Sequence, residues 1–87
     1  MGVDSAFEIV GIYCWFYSHD HTPPHFHAKR SGAWHVKVHF LLPEDQMIEI
    51  VNGKKKLLGK DRRLLVKQAK AHRFALLGEW ELKVKVS

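Results

Sequence analysis

The sequence predicts an α+β fold: a small antiparallel sheet of four to five strands with one long helix packed on one face. Three observations predict it. Short runs in the first half alternate apolar with polar residues. Between Lys60 and Gly78 the apolar period changes to steps of three and four. Gly, Pro and Asn punctuate the runs where turns are needed. With 87 residues, 46% apolar and 26% charged, the chain reads as one domain spanning 1–87. A domain of this size buries only roughly 60–65% of the surface its unfolded chain exposes. A partner, a metal or self-association into a homo-oligomer would therefore add usefully to its stability.

The elements follow in order. Phe7 to Tyr17 reads as a strand that is apolar on both faces from Val10 onward, hence central, with Gly11 marking a bulge or a close approach. Ser18 to Pro24 is a polar turn that the Pro23-Pro24 pair keeps extended. His25 to Lys29 is a short strand with Phe26 and Ala28 on one face and His25, His27 and Lys29 on the other. Arg30-Ser31-Gly32 turns the chain into the clearest alternation, Ala33 to Leu42. There Trp34, Val36, Val38 and Phe40 oppose His35, Lys37 and His39. Pro43-Glu44-Asp45 is a turn, Met47 to Val51 a fourth strand, and Asn52-Gly53 a further turn signal. In the helix, Leu58, Leu65, Ala69, His72, Leu76 and Trp80 form the apolar stripe, with Asp61 at the start and Gly78 at the end. From Trp80 the chain alternates again, which predicts a terminal strand.

Composition excludes several classes. The single cysteine, Cys14, rules out an internal disulfide framework and a four-thiolate zinc site. No run approaches the roughly 20 apolar residues of a membrane-spanning helix. Met1 to Glu8 lacks the basic-then-apolar pattern of a signal peptide, so the expected location is the cytoplasm. Two excesses remain: a net charge of +5, from 14 Lys and Arg against 9 Asp and Glu, and seven histidines.

Four of those histidines lie in His19-Asp20-His21-Thr22-Pro23-Pro24-His25-Phe26-His27. The Pro-Pro turn is expected to bring Asp20 and His21 back to the strand carrying His25 and His27. Those two rings share a face, roughly 6.5–7 Å apart along the strand. A carboxylate such as Asp20 can fix an imidazole tautomer. Three readings stay open. The first is metal-independent, ribonuclease-like chemistry on a phosphodiester, with His21, His25, His27 and His72 as acid–base groups and Asp20 supporting them. The second is a site for a divalent transition metal among Asp20, His21, His25 and His27, with a coordination position left for water. In the third, the histidines bond backbone in a Pro-rich turn and do no chemistry. His35 and His39 read as part of a solvated outer face, or as an extension of the histidine cluster across a hairpin. His72 is either a half-buried histidine at a packing seam or a group the helix presents to the loop.

Nine of the 14 basic residues lie between positions 54 and 73, against one acid, Asp61. Such a run is either a solvated face or the footprint of a polyanion. Lys54, Lys55, Lys56, Arg62 and Arg63, with Lys29, Arg30 and Lys37 from the strands, are the candidate nucleic-acid contacts. RNA is the more suitable partner than DNA, and an acidic protein is the other class.

The stretch Asp20-His21-Thr22-Pro23-Pro24-His25-Phe26-His27 resembles the signature of a bacterial family of small proteins of unknown function, Asp-His-x-Pro-Pro-His-Phe-His. His72 and Trp80 resemble the helix end of that pattern, and Ala69, Phe74 and Ala75 depart from it. The resemblance implies the α+β order of elements and a functional site in the histidine loop. It also implies a small partner protein encoded nearby, as in toxin–antitoxin-like gene pairs; the acidic character of such a partner follows from the basic run, not from the resemblance.

Overall fold

The computed structural model describes residues 9–53, 57 and 59–86, and the backbone of residues 3–5. Its elements are β1 (Val3–Ser5), β2 (Tyr13–Tyr17), β3 (His19–Asp20), β4 (Phe26–Arg30), β5 (Trp34–Val38), α1 (Glu44–Met47), β6 (Ile48–Gly53), α2 (Gly59–Ala71), α3 (Arg73–Lys83) and β7 (Lys85–Val86). Five strands form one antiparallel sheet in the order β1-β2-β4-β5-β6, and β3 pairs with β7 in a separate parallel ladder. The predicted α+β class therefore holds.

The alternation of apolar side chains sorts the sheet into two faces. Cys14 and Phe16 of β2, Phe26 and Ala28 of β4, and Trp34, Val36 and Val38 of β5 point inward. They meet Leu65 and Ala69 of α2 and Leu76 and Trp80 of α3 in one apolar core. The larger of these, the Val, Leu and Phe side chains, each contribute on the order of 1.5–3 kcal/mol on leaving water. The opposite face carries Tyr13, Trp15, Tyr17, His27, Lys29, His35 and Lys37.

Several expected boundaries move. The first strand does not run through Val10: Val10 is 98% exposed, and Gly11 takes φ +81° in a turn closed by Ile12 N–H to Ile9 O at 3.0 Å. The positive φ requires glycine here, and a Cβ would also sit 2.9 Å from Nη1 of Arg30, so that guanidinium would have to shift. The Phe7 end of that expected strand lies outside the described residues, as do Lys54, Lys55, Lys56 and Leu58 of the basic and helical segments. Pro43-Glu44-Asp45 leads into the short helix α1. Asn52-Gly53 ends β6 instead of turning the chain: Asn52 pairs with His35, Gly53 with Trp34, and neither has the positive φ such a turn needs. A register shift at His35/Val36 makes that pairing possible.

The long helix breaks at His72, whose φ of −110° starts α3. His72 is exposed, not half-buried on the stripe. Gly78 does not end the helix, and Trp80 does not begin a strand. Burial of Leu76 and Trp80, four residues apart, favours continuing the helical period to Lys83, which leaves Lys85–Val86 as the terminal strand.

An ion pair between a half-exposed arginine and a buried aspartate ties sheet to helix. Arg30, at the end of β4, donates from Nε and Nη2 to Oδ2 and Oδ1 of Asp61 at 3.1 and 2.9 Å, and Asp61 is 6% exposed in the first turn of α2. Replacing Asp61→Ala leaves the guanidinium without its acceptors. The expected cost is about 2 kcal/mol, seen as a lower denaturant midpoint at unchanged slope; an unchanged midpoint would remove the pair from the list of stabilising contacts.

Candidate metal centre

The site is assembled where the loop before β4 folds back on the sheet. β3 is held in place by β7: Lys85 N–H donates to Ser18 O at 2.7 Å, and the register sets Asp20 opposite Val86. The Pro-rich loop then returns the chain to β4, as its sequence predicts. Asp20 Oδ1 accepts the N–H of His21 at 2.9 Å. Its Oδ2 faces inward and lies 3.0 Å from His25 Nε2 and 3.0 Å from His27 Nε2. Asp20, His25 and His27 thus bring three ligand atoms within 4.8 Å of one another. Both imidazoles are buried, and Asp20 is only 12% exposed at its side chain.

The protonation states follow from the partners. His25 Nδ1 lies 2.9 Å from Pro23 O, a carbonyl that only accepts. Nδ1 therefore carries the hydrogen, and in the neutral ring Nε2 is a bare lone pair. That lone pair makes no hydrogen bond, although the Asp20 oxygen is 3.0 Å away. Burial holds the His25 pKa below its ordinary value, reinforced by His39 and Lys37, against the raising effect of the Pro23 bond and the Asp20 charge. Burial likewise lowers that of His27, against its bond to Asp20. Burial pushes the Asp20 carboxyl up, but the bonds from His27 and the His21 N–H, and the two imidazoles, outweigh it and hold it low. The neutral-pH state is a carboxylate facing two neutral rings.

Aromatic and polar neighbours fix both rings. The second nitrogen of His27, Nδ1, meets His35 Nε2 at 3.0 Å. Trp15 stacks beside His27 at 5.3 Å and 22°, and the Tyr17 ring meets His27 edge-on at 4.6 Å. His25 is flanked by His39 at 5.1 Å and by Trp80 at 5.4 Å. His39 in turn contacts Glu49 Oε1 through Nε2 at 3.0 Å.

His35 and His39 therefore do not belong to a solvated face. His39 is 7% exposed, and both support the cluster, as the strand parity of the β4–β5 hairpin allows. Trp15 and Trp80 were legible only as core residues. His21 and His19 are exposed, and His21 joins the site through its backbone. Helix α3 reaches the cluster through Trp80; His72 lies eight residues away, roughly 12 Å along the axis. Of the candidate phosphate contacts, Lys29 is exposed on the outer face beside Lys37, and Arg30 is engaged by Asp61. Arg62 and Arg63, with Lys67 and Lys70, line a groove of about 610 Å³ beside α1, where Lys70 pairs with Glu44 at 2.7 Å.

Set beside known proteins, residues 11–81 match the family model described as Domain of unknown function (DUF4160), and the chain belongs to that family. No curated protein and no solved structure matches it.

The cluster sets a pH response. His25 and His27 resist protonation in the fold, whereas in the unfolded chain they titrate near 6.5. Below that value the unfolded state binds more protons, so their contribution is complete above it and is lost as pH falls towards the lower folded values. The thermal midpoint of metal-free protein should fall between about pH 7.5 and about pH 5.5, and fall less in His25→Gln. Equal slopes in the two proteins would remove His25 as a cause.

Proposed function

We propose that this member of the DUF4160 family binds one divalent transition metal through Asp20 Oδ2, His25 Nε2 and His27 Nε2. The observation that carries the reading is the bare, buried His25 Nε2 held 3.0 Å from a carboxylate oxygen. Two electron-rich atoms repel at that distance, and a cation between them turns repulsion into coordination. The outer nitrogens already have the partners that metal-ligating imidazoles need: Pro23 O for His25 and His35 for His27. Two nitrogens and one oxygen suit zinc, iron, manganese, cobalt or nickel. Three protein ligands leave a coordination position open, as in hydrolytic centres and unlike closed structural ones.

Metal-free acid–base chemistry fits the same residues less well. It needs one charged and one neutral imidazole, each presented to substrate. Here both Nε2 atoms face the same carboxylate oxygen, and burial disfavours the charged form of either ring.

Protein purified without a polyhistidine tag should take up one Zn²⁺ or Mn²⁺ per chain. At a hundredfold excess over Kd its thermal midpoint should rise by about 15 °C. His25→Ala and Asp20→Asn should each weaken uptake at least about tenfold. Elemental analysis without stoichiometric metal, together with no thermal shift, would sink the reading.

The groove beside α2 favours a second reading, compatible with the first: a cytoplasmic bacterial protein that forms one half of a toxin–antitoxin-like pair with an acidic protein encoded nearby. Arg63 and Lys67 supply the complementary charge. Among the described residues no helix is long and apolar enough to cross a membrane. On co-expression with the neighbouring gene's product, the two chains should co-elute, and Arg63→Glu with Lys67→Glu should separate them. Co-elution that survives both charge reversals would exclude this groove.

A further inference from the structure

The face of the sheet without helices carries a second feature outside the ligand set. The register aligns Tyr13, Lys29, His35 and Asn52 in one row across β2, β4, β5 and β6. The next row, two residues along, holds Trp15, His27, Lys37 and Glu49, and so contains one of the metal ligands. The two rows are roughly 6.8 Å apart.

Tyr13 is 53% exposed although it lies in a sheet strand, and its ring stacks on Trp15 at 5.0 Å and 18°. Trp15 stacks in turn beside His27. A half-exposed ring already backed by an indole is a surface on which one more flat ring can stack. Lys29, directly across the strand pair from Tyr13, is exposed. Lys29, Arg30, His35 and Asn52 border a hollow of about 270 Å³ at the end of the row. An exposed aromatic ring with a neighbouring lysine, on a chain of net charge +5, matches a ligand that alternates flat bases with phosphates. The bases of a duplex are already stacked and paired, so an upright tyrosine on a sheet reaches only unpaired ones.

We propose that the row Tyr13, Lys29, His35 and Asn52 binds single-stranded nucleic acid: a base stacks on Tyr13, and a phosphate lies between Lys29 and Asn52. The strand continues past His35 over the rim of the closed centre at Asp20, His25 and His27; this second clause rests on the metal reading above. His35 belongs to both features, since it stands in the row and bonds His27 at 3.0 Å.

Fluorescence anisotropy of a labelled eight-nucleotide single-stranded RNA, titrated with the full chain in EDTA, tests the platform alone. Binding should weaken about tenfold in Tyr13→Ala, and should be retained in Tyr13→Phe. Lys29→Glu should weaken it at least as much and lower its salt dependence. A blunt duplex and polyglutamate should compete poorly. Wild-type affinity in both Tyr13→Ala and Lys29→Glu overturns the platform, as does equal competition by duplex or by polyglutamate. Adding one equivalent of Zn²⁺ should tighten strand binding several-fold in the wild type, and no change overturns the path over the metal centre. The two readings fail separately. A chain that takes up metal but binds RNA without Tyr13 and Lys29 loses only the platform. A chain that takes up no metal yet needs Tyr13 for RNA loses only the centre.

Discussion

The meeting of one carboxylate oxygen with two imidazole nitrogens sets the requirements for the rest of the site. Asp20 Oδ2 sits 3.0 Å from both His25 Nε2 and His27 Nε2, in surroundings nearly closed to water. A charge so placed must be compensated, by protons or by a cation. The Pro23 carbonyl removes the simplest proton arrangement at His25, because it claims the hydrogen for Nδ1. His35 leaves His27 two choices. It can hold its hydrogen towards Asp20, or turn it to His35 and free Nε2. The loop thus holds one ring ready for a cation and a second that can switch.

Such a cluster is expensive for a small domain. Its polar atoms occupy volume beside Phe16, Phe26 and Trp80 that apolar side chains could have filled. The remaining inner face compensates with an unbroken set of apolar contacts from β2, β4, β5 and both long helices, and with the Arg30–Asp61 pair. Ion binding to the folded state alone would add directly to this margin. The two faces of the sheet differ in kind: the inner one supplies cohesion, and the outer one carries Tyr13, Lys29, His35 and Lys37.

Much of this was legible in the sequence, for identifiable reasons. Strand parity placed Phe26 and Ala28 against the core and His27 and Lys29 opposite, and the hairpin set His35 beside His27. The Pro-Pro turn was enough to expect Asp20 near His25 and His27. The misplaced features share a physical origin. Val10 is apolar yet exposed, because Gly11 takes a positive φ that a count of hydrophobic residues does not register. Asn52-Gly53 has turn composition but lies in a ladder, because pairing with β5 satisfies its backbone. Trp80 fits both a strand and a helix period, and its burial against His25 and Phe16 decided between them. The roles of Trp15 and His39 depend on contacts between segments that no local pattern carries.

The pairing of β3 with β7 has a consequence for the order of events during synthesis. Residues 3–53 contain every strand of the five-stranded sheet and lack only the partner of β3, so that sheet can pair while the chain is still emerging. Asp20 is different: the strand that holds it pairs with residues 85 and 86, about 65 positions later. The ladder that holds its strand can be completed only after α2 and α3 have been made and β7 has folded back. A nascent chain therefore carries its histidines before the strand that bears Asp20 has the partner that anchors it.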